Sequence, residues 1–326
     1  MKRILLNFGL AGMAALMLTV SGCSKDDDDN GNSGPGNVLA VAKADAELTL
    51  FAEAAEKAGL GGVLAGGGQI TVFAPTNNVL ESYLADLNVS DIDALIQLRG
   101  EAAVRQLLSY HVMDGKMEAA DIVQGYQKTR ASNAQGDALD LYINTVGSVT
   151  FNGSSAIVTE TNIDAANGVI HKIGGVLEPQ TIEGLLSANS AFTTFAEASF
   201  KASGDVLGEL GNTQSTYTVM APNNGAFGAF FAENSTVNNI DDVIGAFGTQ
   251  GLEDILKYHI IVGYKRTDNL SGDQTTLLNG EVQTVSKSGS NIIITDGAGR
   301  QVNVVFRDVT AINGNINIID NVLLDD

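Results

Sequence analysis

Leu48, Phe51, Ala55 and Ala58 recur at helical spacing, and Gly59 ends that run. Ile70 to Phe73 is short and continuously apolar, the pattern of a buried strand. Ala74-Pro75 closes it, because proline cannot donate to a ladder, and Asn77 is placed to start the next turn or helix. Ser90 with Asp93 reads as a capping box that opens a helix through Leu95 and Leu98. After Gly100, the residues Ala103, Leu107 and Tyr110 line a second helical face. The period then changes to two: Leu139, Leu141 and Ile143 alternate, as do Val302, Val304 and Phe306. Helices first and strands later predict an α+β domain with an antiparallel core.

The pattern occurs twice. Phe51-Ala52-Glu53-Ala54 returns as Phe195-Ala196-Glu197-Ala198, and Thr71 to Asn77 as Thr218 to Asn224. Leu107 to Val112, containing Tyr110-His111, returns as Ile255 to Ile260, containing Tyr258-His259. Asn167-Gly168-Val169-Ile170-His171 returns as Asn313-Gly314-Asn315-Ile316-Asn317. Four blocks in one order at a nearly constant offset mean two copies of one domain, which meet near Glu178-Pro179-Gln180. No flexible linker lies there, so the copies are expected in near contact.

These blocks resemble the fasciclin (FAS1) domain. Its first motif matches 71–77 and 218–224, its Tyr-His motif matches Tyr110-His111 and Tyr258-His259, and its last motif matches the Asn-Gly blocks at 167 and 313. The resemblance implies two wedge-shaped β-sandwich domains, 38–178 and 180–324, with helices packed along one side. It implies a secreted or surface-anchored role in adhesion to proteins, matrix or glycans. The last motif usually carries His and then Asp. The first copy keeps His171 but has Gly174 at the acid's position; the second has Asn317 for the His and keeps Asp320.

Ahead of the repeats, Lys2 and Arg3 precede an apolar run from Ile4 to Val20, a signal-peptide pattern that covers residues 1–22. It ends Val20-Ser21-Gly22-Cys23, and Cys23 is the chain's sole cysteine. Small residues before a lone cysteine resemble the lipobox of bacterial lipoproteins, which implies acylation of Cys23. Residues 23–37, with Asp26 to Asp29 and then Gly and Asn, read as a hydrated tether of about 20 Å average reach. Lys25 followed by acids resembles the surface-export signal of Bacteroidetes lipoproteins, which implies a cell outer membrane location facing outward. Asp26-x-Asp28-x-Asn30-Gly31 matches half of a calcium loop, but Asn37 stands where a bidentate Glu is needed, so a calcium site is rejected.

Composition narrows the function. The net charge of −20 becomes −22 once Lys2 and Arg3 leave with the signal peptide. Nucleic-acid binding is thereby disfavoured, and anchoring falls to the acyl chains rather than a basic face. Three His without ligand-type spacing and no nucleophile elbow point to no metal, no cofactor and no catalysis. Gly66-Gly67-Gly68 precedes a strand, so it is a loop tip rather than a phosphate loop, and Arg99-Gly100-Glu101 is a helix junction. The candidate motif residues are Pro75, Asn77, Tyr110, His111, His171, Pro222, Asn224, Tyr258 and His259. For each, a knitting role inside the fold stands beside a binding role. The expected function is a membrane-anchored adhesion module with a protein, matrix or polysaccharide partner. The alternative is a glycan-capture accessory that uses Tyr83, Tyr126, Tyr142, Tyr217 or Tyr264 as a stacking platform.

Overall fold

The computed structural model describes residues 34–153, 156–233 and 236–325. The signal-peptide run, Cys23 and the acidic stretch of the tether lie outside the described residues.

In the first copy, the helices α1 (Val38–Ala44), α2 (Thr49–Lys57) and α3 (Gly61–Ala65) precede β1 (Ile70–Pro75). Then come α4 (Asn77–Asp86), α5 (Ile92–Arg99) and α6 (Glu101–Ser109). The strands β2 (Val112–Asp114), β3 (Gly125–Ser132), β4 (Ala138–Asn144), β5 (Thr150–Phe151), β6 (Ala156–Ala165) and β7 (Gly168–Ile173) complete the domain. Their order in the sheet is β2-β1-β7-β6-β5-β4-β3. The two ends of that order, β2 and β3, lie against each other, so the sheet curls into a sandwich. Phe73, Leu139, Leu141, Phe151 and Ile173 fill the inside. Ile70, Val72 and Ala74 face the other way and pack under Phe51, Leu80 and Leu108 of the helical layer.

β1 therefore buries both faces, which is why it reads as a continuous apolar run. One expectation is corrected here: the core is not purely antiparallel. β1 pairs β7 in parallel, from Ile70 opposite Gly168 to Pro75 opposite Ile173. The rest of the domain serves as the long crossover that a parallel pair requires. Glycine at 168 is forced by this pairing, since a Cβ there would lie 2.0 Å from Ile70 O.

The second copy repeats the plan. α7 (Ile182–Ala188), α8 (Thr193–Lys201) and α9 (Val206–Glu209) lead to β8 (Tyr217–Pro222), α10 (Asn224–Glu233) and α11 (Ile240–Tyr258). β9 (Ile260–Val262), β10 (Gly272–Thr275), β11 (Val282–Ser288), β12 (Asn291–Thr295), β13 (Gln301–Ala311) and β14 (Gly314–Ile319) follow, with β8 parallel to β14. α11 kinks at Gly248, φ 76°, the counterpart of Gly100, φ 86°, which separates α5 from α6.

Three local expectations differ from what is observed. The cap of α5 is Asp91, whose carboxylate accepts from Ala94 N at 2.8 Å, while Ser90 donates to Asp91. The buried face of α6 is Val104, Leu107 and Leu108; Ala103 is exposed. β4 does not alternate buried and exposed positions. Leu139, Leu141 and Ile143 point into the sandwich, and Asp140 and Tyr142 are buried on the other face as well.

The cover on that face is the second domain. Asp140 accepts Lys128 Nζ at 2.5 Å and Thr310 N at 2.6 Å. Lys128 also donates to Asp308 O and Thr310 Oγ1. Tyr126 packs at a tilt against both Tyr142 and Phe306 and donates to Leu185 O. Asp137 accepts from Tyr264 Oη at 2.6 Å and from Arg266 at 3.3 Å. The two domains are docked through polar and aromatic contacts. Among the described residues, no helix is long and apolar enough to cross a membrane.

Candidate functional site

Tyr110-His111 sits where α6 passes into β2. His111 is fully buried. Its Nδ1 lies 2.8 Å from Leu107 O, and its Nε2 accepts from Leu177 N at 3.0 Å. A carbonyl on one nitrogen and an N–H on the other fix the neutral tautomer with hydrogen on Nδ1. His259 repeats this with Ile255 O at 2.7 Å and Leu323 N at 2.9 Å. Burial pushes both imidazoles down to about 4. Each ring clamps the end of a helix to the chain segment that leaves the last strand. Neither ring has surface to offer a partner.

The neighbouring tyrosines are equally committed. Tyr110 donates to Asp140 O at 2.6 Å and accepts from Asn152. Tyr258 donates to Val282 O at 2.8 Å. Burial raises both phenols above their ordinary value.

Pro75 and Pro222 end β1 and β8, opposite Ile173 and Ile319. The asparagine two residues on does not cap its own helix. Asn77 Oδ1 accepts from Leu50 N at 2.9 Å, inside the first turn of α2, while Nδ2 donates to Ala46 O and Thr49 Oγ1. Asn224 does the same for α8 through Thr194 N, Ser190 O and Thr193 Oγ1. Asn167 and Asn313 form a second duplicated clamp. Asn167 accepts from Val38 N and donates to Leu64 O and Gly66 O; Asn313 accepts from Ile182 N and donates to Leu210 O and Asn212 O. The Asn-Gly block showed in the repeat, but no local pattern reveals which distant backbone groups its amide joins.

His171 Nε2 lies 2.9 Å from Met117 O, and burial lowers its pKa. Asn317 stands in its place in the second copy. Its Oδ1 accepts from Asp308 N at 3.1 Å, and its buried Nδ2 has no partner. The shorter side chain fills the position without reproducing the second bond. Asp320 accepts from Asn303 N and Nδ2, both at 2.8 Å, and Gly174 cannot replace that contact in the first copy.

The first domain carries a cleft of about 540 Å³ between α4 and residues 174–180. Tyr83 lines it, half-buried, and donates a hydrogen bond to Glu178. Arg99 binds Glu178 at 2.9 Å and lies 5.4 Å over the Tyr83 ring. Of the other tyrosines considered as platforms, Tyr142 and Tyr217 are buried, Tyr126 is in the domain interface and Tyr264 is bonded to Asp137. Among the described residues, no three His, Cys, Asp or Glu side chains group to hold a metal ion.

Comparison with known proteins agrees with the duplication. The fasciclin domain family matches residues 46–179 and 190–325. A protein of Synechocystis sp. is 31% identical over 44% of this chain and 73% of its own length. Human periostin is 26% identical over 80% of this chain; the match covers 29% of periostin, so this chain spans under a third of that relative. A solved FAS1 domain pair from the insect cell adhesion molecule fasciclin I aligns with a TM-score of 0.51 at 18% identity, covering 88% of this chain and 95% of that one. That likeness is one of fold.

Proposed function

The chain belongs to the fasciclin domain family, and from that premise we propose that it is a membrane-anchored cell-surface adhesion or binding protein. Acyl chains on Cys23 hold it at the outer membrane, the acidic tether lifts the body clear, and the exposed loops of the domain pair meet an extracellular protein, matrix or polysaccharide. The observation that carries the reading is the consistent use of the motif residues. His111 and His259 spend their ring nitrogens on tying a helix end to the segment after the last strand, and Asn77 and Asn224 spend their amides on tying one helix to another. Such a construction supports a scaffold whose surface does the work. The docked pair presents its two sets of loops at a fixed separation, which favours avidity on a repetitive target. The cleft beside Tyr83 favours the second reading, glycan capture for uptake.

The anchoring half is tested on cells that make the chain or its Cys23→Ser variant. The parent fractionates with the outer membrane and is cleaved by protease added to intact cells; the variant is released. A parent chain that resists external protease until the cells are broken contradicts outward display.

A further inference from the structure

The two domains close the same place differently, and the difference points to a ligand. β7 and β14 are followed by Gly174-Gly175 in the first copy and Asp320-Asn321 in the second. In the second copy Asn321 Nδ2 reaches across to Glu233, the last residue of α10, at 2.8 Å, and Arg300 approaches the same carboxylate at 3.8 Å. Those side chains bridge the gap. In the first copy the counterpart of Glu233 is Asp86, the last residue of α4. Nothing reaches across from Gly175, and among the described residues Asp86 has no hydrogen-bond or ion-pair partner. The gap stays open as the cleft beside Tyr83.

The backbone does not demand glycine at 174. Its φ is not positive, and a Cβ on Gly174 would meet nothing nearer than 3.7 Å. The second copy supports Asp and Asn at the same two positions. The rim also changes in character: Tyr83, Glu178 and Arg99 stand where the second copy has Phe230, Leu324 and Phe247. The Arg99–Glu178 pair and the stacked Tyr83 ring hold this rim in place.

We propose that this cleft binds one unit of a neutral saccharide. The volume lies within the usual range of small-molecule pockets, about 300–1,000 Å³, and suits a ring with part of its neighbour. Asp86 and Glu178 are among the lining residues; Arg99, at the rim, is paired with Glu178, which leaves Asp86 as the uncompensated charge. An anionic ligand is therefore repelled. Seven of the lining side chains carry amide, hydroxyl or carboxylate groups, and apolar surface from Val79, Val176 and the Tyr83 ring lies beside them, a mixed wall that suits an amphipathic ring. The polar groups suit the outward hydroxyls of a sugar ring, and Tyr83 with Val176 offers an apolar wall for its C–H face. This deepens the binding-module reading and rests on it.

The test titrates the full-length chain in detergent with neutral tetrasaccharides of glucose and mannose, with galacturonate and with glucosamine, using calorimetry and amide chemical shifts. Saturable binding of a neutral tetrasaccharide is expected, with the largest shifts at residues 78–86 and 174–180. The Gly174→Asp/Gly175→Asn variant, which copies the second domain, is expected to bind at least tenfold more weakly with an unchanged melting midpoint. Ser82→Trp fills the cleft from the helix side and gives the same loss should the double variant misfold. Saccharide binding that survives both variants overturns the cleft and leaves the surface-binding reading standing. So does binding to matrix protein without any saccharide. Binding only of galacturonate or glucosamine overturns the neutral class.

Discussion

At the residue scale, the Tyr-His pair shows how a conspicuous motif can be structural. Its presence in both copies was legible from the repeat, but its role was not. The partners of His111 and His259 are backbone groups, and Leu177 N and Leu323 N lie 66 and 64 residues away. With folded values near 4 against an ordinary 6.5, both rings are neutral when native. Their contribution is complete above about pH 6.5. It is lost as pH falls from there toward 4, where the unfolded chain takes up protons that the native state refuses. The imidazole resonances of His111 and His259 are therefore expected to stay constant from pH 8 to 5, while the denaturation midpoint falls between pH 6.5 and 4. An imidazole of either residue that titrates near 6.5 contradicts the clamp.

At the element scale, composition and period placed α2, β1, α5 and α6 with small errors, each with a local cause. Asp91 rather than Ser90 caps α5 because its carboxylate is one residue nearer the first free N–H groups. The parallel pairing of β1 with β7 left no trace in either strand's pattern, since a strand buried on both faces reads alike in both directions. Asn77 was seen as a helix starter, whereas its amide serves the helix before the strand. This predicts that Asn77→Ala and Asn224→Ala each cost about 1 kcal/mol, because a half-buried N–H in the first turn of a helix loses its capping partner while the exposed carbonyl is taken over by water. The two losses are expected to add in the double variant, as the sites lie in separate domains. Denaturant titration checks both statements; an effect below about 0.5 kcal/mol for either residue removes the clamp from the account.

At the scale of the whole molecule, the duplication was the strongest signal in the sequence, and it gave the fold. That the copies touch was expected from the missing linker, but which surfaces meet was hidden in β4, whose outward residues Asp140 and Tyr142 look like a solvated face until Thr310 bonds Asp140 and Phe306 packs on Tyr126 beside Tyr142. The cleft was hidden too, because Gly174 stood out only as a missing acid and its consequence depends on Asp86 across the gap. The central claim is that this docked pair is a surface binding module. The most direct measurement is binding of the lipidated full-length chain, carried on vesicles, to immobilised matrix proteins and polysaccharides at two salt concentrations. The account predicts saturable binding to at least one of these, with the bound material chemically unchanged. Failure to bind any of them, or turnover of the bound material, contradicts it.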